Sequence, residues 1–146
     1  MPSELVSTLV GNSELVEIGT FSLSATRSLH LPAVSDEMPE QVQVQPNYVL
    51  STMAAPAEGR FLIRLAMNVE LPVGFVSCDV GAEYQISKSL DIDLDNRLLV
   101  DFANEVGIAV LLPFIRQAVA DLSQRVFGSP LLMPIMAPGA LHFSSN

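Results

Sequence analysis

The sequence predicts an α+β fold: a four-stranded antiparallel sheet followed by a long, proline-kinked C-terminal helix. Three observations carry this reading. Four segments ahead of Asp91 alternate apolar and polar residues with a period of two. The third and fourth are separated only by Pro72 to Gly74, a connection short enough to demand a hairpin. Beyond Asp95, Ile115, Ala118, Val119, Leu122 and Val126 recur at helical spacing and form one apolar stripe.

The first strand is expected from about Leu15 to Leu29. Phe21, Leu23 and Ala25 share one parity, whereas Val16 and Ile18 take the other, so a bulge is expected near Gly19. The second places Val42, Val44, Tyr48 and Leu50 against Gln41, Gln43, Gln45 and Asn47, with Pro46 marking an edge or a bulge. A turn-like stretch, Ala54 to Gly59, leads to the third strand at Arg60 to Leu71, with Phe61, Ile63, Leu65, Met67 and Val69 on one face. The fourth strand turns Val76, Cys78, Val80, Ala82, Tyr84 and Ile86 inward. Clean alternation of this kind belongs to a sheet with one buried and one solvated face.

Asp91, Asp93 and Asp95 resemble the opening of a calcium loop, but the glycine position is Asn96 and the closing glutamate position is Phe102, so no metal site is expected. Asp95 or Asn96 reads instead as the cap of a helix running from about Leu98 to Phe127. Pro113 cannot donate to the carbonyl of Ala109, which predicts a kink or two segments there. Gly128 is the natural stop.

A chain of 146 residues is read as a single domain, 1–146. Its hydrophobic content of 49% and mean hydropathy of +0.41 exceed what one small interior can hide. Some apolar surface is therefore expected to meet other subunits or ligands, and Ala109, Leu112 and Val119 are candidates for a subunit interface. The net charge of −9, with no basic cluster, excludes nucleic acid and anionic membrane surfaces as partners. The longest apolar run, Val106 to Ile115, is broken by Gly107 and Pro113 and is too short for a membrane span. With no positively charged start and a single cysteine, Cys78, the chain reads as cytoplasmic.

Catalytic machinery is not evident. His30 and His142 are isolated, no nucleophile elbow or zinc motif is present, and Lys88, the only lysine, follows no glycine-rich loop. No cofactor is expected, and the chain is read as a binding protein rather than an enzyme.

The C-terminal pattern resembles the SecB family of export chaperones. Leu112, Pro113, Phe114, Arg116, Asp121, Leu122, Arg125, Gly128, Pro130, Leu131 and Pro134 occupy the places of that family's helix and tail motif. The resemblance implies a sheet backed by helix, a homotetramer built as a dimer of dimers, and ATP-independent holding of unfolded polypeptides in apolar grooves. Tyr48, Leu50, Met53, Leu131, Leu132 and Met133 are the residues expected to meet such clients. The family also implies the motor SecA as a partner, an expectation weakened by departures at Thr20 to Ser24 and at Gln117. The short stretch after the tail leaves the family's last helix unaccounted for. These departures leave room for a narrower client, such as an antitoxin, in place of general export. An alternative reading is a small carrier that holds a hydrophobic ligand between sheet and helix. A third is a purely structural oligomer subunit.

Overall fold

The computed structural model describes residues 4–28, 46–87, 90–133, 136 and 139–144. In chain order its elements are α1 (Glu4–Gly11), β1 (Ser13–Arg27), β2 (Asn47–Ala55), β3 (Arg60–Leu71), β4 (Gly74–Ile86), α2 (Asn96–Phe102), a π turn (Ala103–Gly107) and α3 (Ile108–Phe127). The four strands form one antiparallel sheet in the order β1-β4-β3-β2, which confirms the expected α+β class.

The sheet follows from the alternation. Ile63, Leu65 and Met67 of β3 face the helical layer with 0% exposure, as do Val76 and Ala82 of β4. A single-turn 3-10 segment, Pro56–Glu58, and Gly59 in the left-handed region (φ 66°) connect β2 to β3. The Gln41 to Gln45 part of the expected second strand lies outside the described residues. The first strand starts two residues earlier than the alternation suggests, at Ser13, and carries two bulges. Its pairing with β4 shifts between Leu15 and Glu17 and again between Thr20 and Ser22, which leaves Val16 and Phe21 as the extra residues on either side of Gly19.

The helical layer departs from expectation in three ways. First, α1 was not anticipated; its eight residues bury Val6 and Leu9 against the core. Second, the long helix is interrupted at the π turn and not at Pro113, which lies inside α3. Pro113 and Ala109 are both exposed, so the carbonyl that loses its hydrogen bond can be met by water. Third, the buried row of α3 is Ile108, Leu111, Ile115, Val119 and Ser123. Leu122 and Val126 sit at its margin, and Val119, expected at a subunit interface, has 0% exposure within its own chain.

The helix termini behave as read. Asp95 Oδ1 accepts the Leu98 N–H at 2.8 Å, and Gly128 (φ 82°) caps the other end with its N–H on the Gln124 carbonyl. α3 lies across β4 and β1, whereas α2 meets the β2 side and α1. At the junction, Gly107 approaches Ile63 so closely that a Cβ there would stand 3.2 Å from the Ile63 Cγ2. Phe61, Tyr84 and Phe102 form an aromatic cluster joining β3, β4 and α2, with ring centroids 4.9 to 5.1 Å apart.

The continuous helix Asn96–Phe127, at 32 residues, is long and apolar enough to cross a membrane, contrary to the estimate from the apolar run alone. Half of its most apolar window is buried within the chain, as a core helix requires.

Candidate peptide-binding surfaces

The tail after Gly128 is where the sequence placed three contact residues, and the structure separates them. Leu131 has 0% exposure and Met133 4%, whereas Leu132 is 58% exposed. The first two belong to the chain's own core, so their assignment as client contacts is corrected: they are packed and do not face solvent. The device that fixes the tail is Ser123. This fully buried hydroxyl donates to the Val119 carbonyl at 2.7 Å and accepts the Leu131 N–H at 2.7 Å. A serine within an apolar helical row is the signal for such an acceptor, because a buried hydroxyl needs partners.

The β2 candidates are likewise divided. Tyr48 and Leu50 are half-buried on the helix-facing side and pack against the core. Met53, of opposite parity, is 65% exposed on the other side of the sheet. The three residues therefore do not form one surface. Burial raises the Tyr48 hydroxyl above its usual pKa.

Among the motif residues, Leu112 packs at the core margin, Pro113 is exposed and Phe114 is 47% exposed. Arg116 is half-buried, with its Nε shielded and without a hydrogen-bond partner among the described residues. Asp121 and Arg125 form an exposed pair at 3.5 Å, one helical turn apart, a contact that contributes little to stability. Leu122 is half-buried, Pro130 is exposed, and Pro134 lies outside the described residues.

The sheet face away from the helices carries a groove of about 320 Å³, lined by Glu17, Gly19, Thr20, Phe21, Leu62, Gly81 and Glu83. The second bulge of β1 creates it. Phe21 leaves the parity of Leu23 and Ala25 and lies over Gly81, where a Cβ would come within 2.6 Å of the ring. The Arg64 guanidinium stacks over the Phe21 ring, 4.3 Å from its centre. Asp79 holds that guanidinium in two parallel bonds of 2.9 and 2.7 Å. This bidentate hydrogen bonding raises the Arg64 pKa above its ordinary value. Arg60 bridges Glu58 at 2.6 Å and Glu83 at 3.4 Å along the same face.

One more feature was not legible. Asn104, in the π turn, holds the backbone of Phe143 through both halves of its carboxamide. Cys78 is buried, and desolvation, together with the neighbouring Asp79 charge, pushes its thiol up to about 11, far from the range of a nucleophile.

No family model matches the chain, and no curated protein matches it in sequence. Solved structures do. The SecB-like chaperone Rv1957 of Mycobacterium tuberculosis, solved in complex with a ChAD peptide from the HigA1 antitoxin, superposes with a TM-score of 0.75 over 91% of this chain and 94% of that one, at 19% identity. A protein of unknown function from Streptococcus agalactiae aligns with a TM-score of 0.44 at 8% identity, over 85% of this chain and 97% of that one. The superposition on Rv1957 shows the SecB-like fold, as the C-terminal motif implied.

Proposed function

We propose that this protein is a SecB-like holdase chaperone. It holds unfolded polypeptide on apolar surface without ATP and assembles as a homotetramer in the cytoplasm. Its client is a narrow one, of the antitoxin kind, and general export through SecA is not its task. The observation that carries this reading is the number of large apolar side chains left open on a SecB-like frame. Leu15, Val16, Phe21, Leu23, Val49, Met53, Phe114 and Leu132 are all at least 42% exposed. Such a surface calls for partners. The neighbour's own complex with an antitoxin peptide supports the class of client.

The carrier alternative requires a hollow between sheet and helix. Ile63, Leu65, Met67, Leu111, Ile115 and Val119 instead pack that interface with 0% exposure. A non-catalytic role agrees with the buried, high-pKa Cys78.

The test combines light scattering with aggregation suppression. The expected result is a mass of several protomers and stoichiometric protection of an unfolded client that ATP does not alter. A mass of 15.7 kDa at micromolar concentration, or no binding of any unfolded client, would refute the reading.

A further inference from the structure

The Asn104 carboxamide donates from Nδ2 to the Phe143 carbonyl at 2.8 Å, and its Oδ1 accepts the Phe143 N–H at 2.9 Å. One side chain thus supplies the pair of bonds that a residue on a neighbouring β-strand would supply. Around this grip, Leu141 and Phe143 are half-buried against the core, while His142 and Ser144 are exposed. Beyond a bend at Ala140 and Leu141, burial thus alternates with the period of two that an extended chain shows. Backbone bonds indifferent to side-chain identity, with apolar contacts at every second residue, are what recognition of an extended polypeptide of variable sequence needs.

We propose that residues 141–143 occupy a client subsite as the chain's own stand-in, and that Asn104 grips the backbone of a client segment once this stretch is displaced. The occupant is an extended stretch of unfolded polypeptide with apolar side chains at alternate positions. The inference rests on the holdase reading above. The tail is built for such an exchange in two parts. Leu131 and Met133 are anchored in the core, and the Leu131 N–H is tied to Ser123. Leu141 and Phe143 are only half-buried, and Phe143 is held by the two Asn104 bonds. The outer stretch can therefore leave while the inner one stays. Asn104 also sits within a π turn, an irregularity frequent at functional positions.

The experiment uses the full-length chain and two probes. One is reduced, carboxymethylated α-lactalbumin, which is permanently unfolded. The other is a fluorescein-labelled peptide copying residues 139–145. The double variant L141S/F143S frees the subsite. It is expected to bind the unfolded protein about fivefold more tightly and to capture the labelled peptide, which the wild type excludes. Adding Asn104→Ala to the double variant removes two backbone hydrogen bonds and weakens both interactions about tenfold. Should the double variant lose its melting transition, Phe143→Ala alone is expected to shift both affinities in the same direction, by about twofold. Unchanged affinity for the unfolded protein in the double variant, with aggregation suppression intact, overturns the subsite and leaves the holdase reading standing. Failure of wild type and all variants to bind the unfolded protein overturns both. A change in oligomer mass without a change in affinity would make the stretch a clasp between copies of this chain, and would likewise overturn the proposal.

Discussion

Replacing Leu131 and Leu132 one at a time should give opposite phenotypes, although the residues are adjacent and identical. Leu131 has 0% exposure and lies in the main core cluster; Leu132 is 58% exposed. Leu131→Ala removes buried methyl groups and leaves a void, which costs about 2–5 kcal/mol. A chain of 146 residues unfolds with an entropy of about 0.3 kcal/mol per kelvin, so a loss of about 3 kcal/mol lowers Tm by about 10 °C. Leu132→Ala should move stability by less than about 0.5 kcal/mol and reduce client affinity instead. Urea unfolding followed by far-UV circular dichroism provides the measurement. Protein concentration is held constant, because assembly contributes to apparent stability. The expected result is a lower midpoint with an unchanged slope for Leu131→Ala and a wild-type curve for Leu132→Ala. Equal losses in both variants, or a larger loss at Leu132, would show that the alternation of the tail is not as described and would refute the argument.

Ser123→Ala should cost about 1–3 kcal/mol, because the Leu131 N–H is left buried without an acceptor; faster amide exchange at Leu131 would accompany it. Gly81→Ala forces Phe21 off the sheet and should destabilise by about 1–2 kcal/mol, with Phe21→Ala relieving part of that loss in a double-mutant cycle. Cys78 binds its proton more tightly in the folded chain (about 11) than in the unfolded one (about 9), so its contribution to stability is complete below pH 9 and is lost as pH rises through 11. Alkylation by iodoacetamide at pH 8 should accordingly be slow until the protein unfolds. Client affinity should persist at about 0.3 M salt while the association rate falls, since apolar burial outweighs exposed charge pairs; collapse of affinity at that salt would assign recognition to electrostatics.

The strands were readable where one face is buried and the other wet. β3 was delimited to the residue by its alternation, because a one-residue slip would turn every side chain to the wrong side. The same rule separates Met53 from Tyr48 and Leu50, and Leu132 from its neighbours, so grouping them by hydrophobicity alone joined residues that lie apart. β1 was harder. Two bulges break the period of two, and Phe21, seemingly in phase with Leu23, is turned to the opposite face. α1 is too short to announce itself, as eight residues are marginal as a helix without tertiary contacts. Ser123 and Asn104 act through hydrogen bonds to distant backbone, 8 and 39 residues along the chain, and no local pattern encodes such partners.

The π turn between α2 and α3 is in effect one residue inserted into a helix. An α-helix advances about 100° per residue, so the wider turn sets α3 about 100° out of phase with a regular continuation of α2. Leu98, Leu99 and Phe102 can then be buried beside the β2 edge while Leu111, Ile115 and Val119 are buried over the far strands. Deleting a single residue within Ala103–Gly107 would make the helix more regular and the protein less stable. It would restore ideal pitch while rotating one buried face out of the core, and Asn104 would no longer be held where it meets the tail.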